Sequence, residues 1–219
     1  VYRRGWPIGL TQLAESGLFT GTAIMMGWLG TLQLAAHGIA MQITSTVFMI
    51  HIGLSLAGTV RASRAFGVGD VAGLLRGGQV AFMLSLSLIA LTMVLFLTVP
   101  EALLVLFLDP NEPNRADVIA LGVGLMAMAA LFQLADGTQV MALGLLRGCQ
   151  DTRTPMVMAA ISYWAIGIPA GYILGFWTPL AQIGVWVGLV AGLFCASGLL
   201  LHRFWVRRDW QNQLPPAPT

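Results

Sequence analysis

The chain is predicted to be an all-α integral membrane protein with six transmembrane helices, and three observations predict it. Of its 219 residues 57% are hydrophobic and only 9% charged, with a mean hydropathy of +0.81, where a soluble domain carries about a quarter charged residues. The apolar residues gather into runs of about 20 or more, the length that crosses a hydrocarbon core. Turn-forming residues gather between those runs.

The spans lie near 6 to 27, 34 to 60, 72 to 98, 116 to 146, 155 to 177 and 180 to 203. Pro7 suits the opening turn of the first, because a first helical residue needs no backbone donor, and Gly27-Trp28-Leu29-Gly30 closes it. Gly67-Val68-Gly69-Asp70 ends the second. It is a helix break, since a phosphate loop would need a Lys-Ser/Thr ending. Beyond the third span, past Pro100, Leu103 to Leu108 is too short to cross and is placed at the interface. Asp109-Pro110-Asn111-Glu112-Pro113 leads into the fourth span. Asp151-Thr152-Arg153-Thr154-Pro155 leads into the fifth and Thr178-Pro179 into the sixth, with Thr154 and Thr178 as N-caps before a first-turn proline. The longest runs exceed the bilayer and are expected to tilt or project into water. Pro169 removes a backbone hydrogen bond inside the fifth span, which should bend there, making it the candidate hinge. Residues 1–208 therefore read as one transmembrane lobe, and 209–219, ending Leu214-Pro215-Pro216-Ala217-Pro218-Thr219, as a disordered tail. Val1 in place of an initiator Met, with Tyr2-Arg3-Arg4 like a linker entering a span, reads as part of a longer protein whose missing piece lies upstream.

Charge sets the orientation. Every basic side chain is arginine, and cytoplasmic loops should hold the positive charge. With both ends cytoplasmic, the inside receives every arginine except Arg115, and the long outer loop holds Glu101, Asp109, Glu112 and Asp117. A net charge of +2 is too small to suggest nucleic acid. Cys149 and Cys195 stand in separate segments without metal-like spacing, His37, His51 and His202 likewise, and no nucleophile stands beside a paired base. An enzyme, a cofactor and a resident metal are therefore not expected.

Against this background two acids stand out, Glu15 and Asp136, each inside an apolar run. A charge at that depth costs several kcal/mol unless it faces a bundle interior, a cavity or a partner. Glu15 lies eleven residues beyond Arg4 and Asp136 eleven before Arg147, so both sit about 16 Å from the cytoplasmic boundary at the helical rise. Two helices thus place an acid in one midplane layer, where transporters hold substrate and coupling ions. Gln12, Glu15, Phe19 and Thr22 share a helical face, as do Phe132, Gln133, Asp136 and Gln139. On the second span His37, Met41, Thr44, Phe48, His51 and Ser55 recur at three-and-four spacing, flanked by Gln42 and Ser45. Gln12, Phe19, His37, Gln42, Thr44, Phe132, Gln133 and Gln139 are the candidate substrate-cavity wall. Glycines repeat every four residues at Gly167, Gly171 and Gly175 and at Gly184, Gly188 and Gly192, with shorter pairs Gly17 with Gly21 and Gly144 with Gly148, which would let backbones pack closely.

Several of these residues together resemble multidrug and toxic compound extrusion (MATE) transporters, specifically the C-terminal six-helix lobe. The resemblance covers nearly the whole chain: Trp6-Pro7-Ile8 followed by Glu15, Ala36-His37, Gly67-Val68-Gly69-Asp70, and Leu146-Arg147-Gly148-Cys149-Gln150-Asp151-Thr152-Arg153-Thr154-Pro155 preceded by Asp136. It implies a twelve-helix, cation-coupled exporter in the cytoplasmic (inner) membrane of a bacterium. The present chain would supply one lobe and a second, N-terminal lobe the other. Glu15 and Asp136 match the acids that in one branch contribute to a cation site. Phe132 stands where a tyrosine is often found, so sodium and proton remain alternatives.

The expected mechanism follows from electrostatics. A buried acid beside another acid gains from binding H⁺ or Na⁺, and a cationic organic substrate, with Phe19 or Phe132 offering its ring, would compete for the same site. Ion and drug then exclude one another, a reciprocal coupling, as the lobes rock about the midplane. Two other classes remain open. One is a lipid-linked glycan flippase of the same superfamily, for which a cationic cavity would be expected; the other is a noncatalytic scaffold built on the glycine seams. The chain could also be a homodimeric half-transporter.

Overall fold

The computed structural model describes residues 2–111 and 113–213. Among the described residues the chain forms eight α-helices, two π-helical turns and one 3-10 turn, with no strand. The long helices are α1 (Tyr2–Leu29), α2 (Thr31–Gly67), α3 (Val71–Thr98) and α5 (Arg115–Gly148), and α4 (Pro100–Val105) is a single short piece between the last two. The fifth span is composite: α6 (Arg153–Ile161), a π turn (Ser162–Gly167) and α7 (Ile168–Phe176). α8 (Ala181–His202) runs into the second π turn (Arg203–Arg207).

Among the described residues five helical segments are long and apolar enough to cross a membrane, making this a multi-pass membrane protein. α1 is not among them. It is 28 residues long, but Gln12, Glu15 and its glycines and threonines dilute its apolar character. The first span was expected on length and position, and its polar content is what the site requires of it.

Glycine and aspartate set the breaks. Gly30 takes φ 147 between α1 and α2, a conformation that favours glycine. Asp70 caps α3, its carboxylate accepting from the Gly73 N–H at 2.8 Å, so the Gly67–Asp70 break is as expected. α4 ends in a turn whose Leu106 is 76% exposed, as suits an interfacial piece.

Three expected starts are corrected. Pro7 lies inside α1, whose first residue is Tyr2. α6 begins at Arg153 with Thr152 at the cap position, two residues before the expected Thr154 cap. α8 begins at Ala181 with Leu180 at the cap position; the Thr178 hydroxyl donates back to the Leu174 carbonyl and accepts from the Leu180 N–H at 3.3 Å, so it joins α7 to α8 two residues before the cap. Asp209–Gln213, read as tail, form a 3-10 turn with Trp210 buried on Phe204. Residues 214–219 lie outside the described residues.

The fifth and sixth spans interlock through their glycines in antiparallel order. A Cβ on Gly192 would stand 2.9 Å from the Gly167 Cα, one on Gly175 would meet Val185, and one on Gly188 would fall on the backbone of Gly171. Gly17 is occupied by the Trp164 ring and Gly21 by Ile168, while Gly144 and Gly148 admit the backbone of α2 at Ser55 and Thr59. There the Ser55 and Thr59 hydroxyls donate to the Val140 and Gly144 carbonyls, at 2.7 and 2.9 Å. Close approach and interhelical hydrogen bonds are what hold helices together where lipid removes the hydrophobic drive.

Candidate functional site

The middle of α5 builds the site. Up to Ala135 this helix belongs to an apolar cluster shared with α1, the first half of α2 and α8. From Met141 it belongs to a second cluster at the arginine-bearing end, with Ala62, Phe66, Leu200 and Phe204. Between them it turns polar, and Gln133, Asp136, Thr138 and Gln139 are all buried. The side-chain nitrogens are satisfied: Gln133 Nε2 donates to the Thr44 carbonyl at 3.1 Å, and Gln139 Nε2 donates to the Tyr163 hydroxyl. Three oxygens are not: Gln133 Oε1, Asp136 Oδ1 and Gln139 Oε1. A buried acceptor without a donor costs about 1–3 kcal/mol.

Two cavities adjoin this layer. One, of about 270 Å³, is lined by Phe19, Met41, Thr44, Ser45, Phe48, Phe132 and Asp136. The other, of about 170 Å³, is lined by Gln12, Glu15, Phe48, Ser55, Thr59, Gln139 and Arg147 among others. Phe48 belongs to both. Glu15 is 7% exposed and Asp136 1%, and the two carboxyls lie within electrostatic reach of each other. The ion pairs of the described residues all involve Arg203 or Arg207, so none reaches either acid. Among the described residues no group of three or more His, Cys, Asp or Glu could hold a metal.

The expected residues are placed unequally. Gln12, Glu15 and Gln139 meet in the smaller cavity, and Phe19, Thr44, Phe132 and Asp136 in the larger. Gln133 stands behind, bonded to α2. His37 belongs to neither cavity: its Nδ1 accepts from Trp186 Nε1 at 3.2 Å, at the end of an aromatic row running Phe19, Phe132, Trp186. Gln42 also lines neither, because its position on α2 turns it outward, exposed. Pro169 sits in the first turn of α7, directly after the π turn, where the Ile168 N–H donates to the carbonyl of Tyr163, five residues back. The wide turn accommodates the proline's missing donor.

Sequence reasoning missed two groups. Tyr163 is fully buried and places a hydroxyl on Gln139, supplying near the acids the kind of group that Phe132 lacks. Its span carries no polar periodicity that would have singled it out. Arg147 served in the sequence as a topological marker and as part of the Leu146–Pro155 run, yet its side chain lines the Glu15 cavity within electrostatic reach of Glu15. A basic side chain therefore joins the acid in this cavity. An arginine side chain is long enough to reach inward from a boundary residue.

The MatE family model matches residues 7–173 of the chain. Curated relatives include a probable multidrug resistance protein NorM from Agrobacterium fabrum, 45% identical over 93% of this chain and 44% of its own length. Another of that description, from Mesorhizobium japonicum, is 43% identical over 94% and 44%. The chain thus spans less than half the length of these relatives. Among solved structures, MATE in the bent conformation superposes with a TM-score of 0.83 at 16% identity, over 98% of this chain and 48% of that one. A MOP superfamily transporter from Pyrococcus furiosus, described as having a binding pocket of reversed polarity, gives 0.79 at 18% identity, over 98% and 47%. At such identities the structures show a shared fold.

Proposed function

Because this chain belongs to the MatE family, we propose that it is one half of a cation-coupled exporter of organic, often cationic, drugs, with Glu15 and Asp136 holding the coupling ion. The observation that carries this reading is the pair of buried acids, in adjoining cavities, without an ion pair among the described residues. An acid so placed is stabilised by a proton, by sodium or by a cationic guest. The unpartnered oxygens of Gln133 and Gln139 add acceptors beside Asp136. Phe19, Phe48 and Phe132 offer ring faces to an organic cation in the larger cavity. Loading the acids with the ion would lower drug affinity, and drug would lower ion affinity by the same factor. An N-terminal six-helix lobe would face this one across the cavities, in the cytoplasmic membrane of a bacterium, with no cofactor. The reaction is transport, with no covalent chemistry.

The test uses the full-length transporter in vesicles, with efflux of a fluorescent organic cation driven by a proton gradient and, separately, by a sodium gradient. Glu15→Gln with Asp136→Asn is expected to reduce driven efflux at least about tenfold. Unchanged efflux in the double variant would end the proposal. Arg147 favours a second reading, carriage of an anionic lipid-linked glycan, and movement of a lipid diphosphate in the same vesicles would establish it. One guanidinium against two carboxyls makes organic cations the expected cargo.

A further inference from the structure

A third cavity lies apart from the acid layer, between α2 and α3. It is about 160 Å³ and is walled by Leu54, Ala57, Gly58, Val80, Ala81 and Leu84, with Arg61 and Gly77 at one end. Antiparallel pairing from the Gly67–Asp70 turn builds it: Gly77 lies against Arg61 and Gly58 against Ala81. A Cβ at Gly77 would stand 2.9 Å from Arg61 Nε and 3.2 Å from its Cδ, so glycine there lets the arginine stem lie flat on α3. The residues Leu54, Ala57, Gly58 and Arg61 occupy the side of α2 turned away from Phe48, Ile52, Ser55 and Thr59, which line the Glu15 cavity. The groove is therefore not a branch of the transport site.

Charge and depth identify the occupant. Arg61 is exposed and forms no ion pair among the described residues. Arg64 and Arg76 lie on the same end of the two helices. Arg61 precedes the end of α2 by six residues, about 9 Å of helix, and Leu54 is about 10 Å deeper. That puts a cation at headgroup depth and an apolar trough at acyl-chain depth, at the end the arginine distribution assigns to the cytoplasm. Basic pockets between transmembrane helices on that side hold anionic headgroups. We propose that this groove is a binding site for an anionic phospholipid, with the phosphate on Arg61 and an acyl chain along Gly58 and Ala81 toward Leu54 and Leu84.

Native mass spectrometry of the full-length transporter in detergent, with phosphatidylglycerol or phosphatidylcholine added, tests this. The wild-type protein should retain phosphatidylglycerol about fivefold better, the gain from one guanidinium at a headgroup. Arg61→Gln should abolish the preference and Arg61→Lys should keep it. Ala81→Phe, which fills the trough and leaves Arg61 in place, should abolish it too. No preference in the wild type, a preference surviving Arg61→Gln, or an equal loss in Arg76→Gln would overturn the site in favour of diffuse surface charge. A preference surviving Ala81→Phe would overturn the groove. Should Arg61→Gln not fold, Ala81→Phe and Arg61→Lys decide between them. Binding is read without transport, so the outcome is separate from that of the efflux proposal.

Discussion

Arg147 and Glu15 share a cavity, and that opposition of charge is the residue-scale feature most open to experiment. A fixed positive group beside the acid competes with any cationic guest. Arg147→Gln is expected to tighten binding of a permanently cationic dye by about three- to fivefold, the size of a partly screened charge interaction. Equilibrium binding to the purified full-length transporter measures it, and weaker binding would show that Arg147 instead holds Glu15 in place. In the turn after α5, Cys149 has a different chemistry. Burial, and then the Asp151 carboxylate, push its thiol up to about 12. Below that pH it stays protonated and is a poor nucleophile. A maleimide at pH 8 should therefore leave Cys149 untouched in the folded protein and label it once the protein is denatured, as peptide mass spectrometry would reveal.

Helix contacts carry the next level. Gly188→Leu would drive a side chain into the Gly171 and Ala170 backbone, whereas Gly198→Leu meets nothing within 4 Å. Overpacking of that kind costs about 1–3 kcal/mol, so the first should lower the melting temperature by about 5 °C and the second hardly at all. Equal melting temperatures would mean the two spans separate readily. At the arginine-rich end, Arg203 Nε donates to Asp151 at 2.6 Å with both side chains buried, and its Nη1 donates to the half-exposed Asp209 at 2.8 Å. Asp151→Ala leaves the buried Arg203 only its half-exposed partner Asp209 and should cost about 2–3 kcal/mol. Asp209→Ala should cost about 1 kcal/mol or less. Thermal unfolding of both variants checks the ranking. Pro169 directly follows the π turn; if it is the hinge, Pro169→Ala is expected to slow efflux without lowering the melting temperature.

At the scale of the whole molecule, the arginine distribution makes a topological statement. With both ends cytoplasmic, a cysteine replacing Arg115 in a cysteine-free full-length transporter should react with an impermeant maleimide added to intact cells. Cysteines replacing Arg64 or Arg153 should react only after lysis. The opposite pattern would invert the orientation and move the lipid groove to the outer leaflet. The chain spans less than half the length of its curated relatives, and both acid cavities lie along α1, α2 and α5. A second lobe closing them would make Glu15 and Asp136 part of a shared chamber.

Whatever depends on local composition and period is legible in the residues alone. Long apolar runs with breakers between them specify helices and their order, glycines four apart specify a seam, and an acid in an apolar run specifies a special place. Those inferences carry over to the structure because each rests on a few neighbouring residues. Tertiary structure decided which polar side chains meet. His37 and Thr44 share a stripe, yet one is taken by Trp186 and the other lines the Asp136 cavity. Tyr163 and Arg147 join the site from positions that no spacing relates to the acids. The physical reason is that periodicity gives the face of one helix, while a cavity is made by several helices whose relative rotation and depth arise only when they pack.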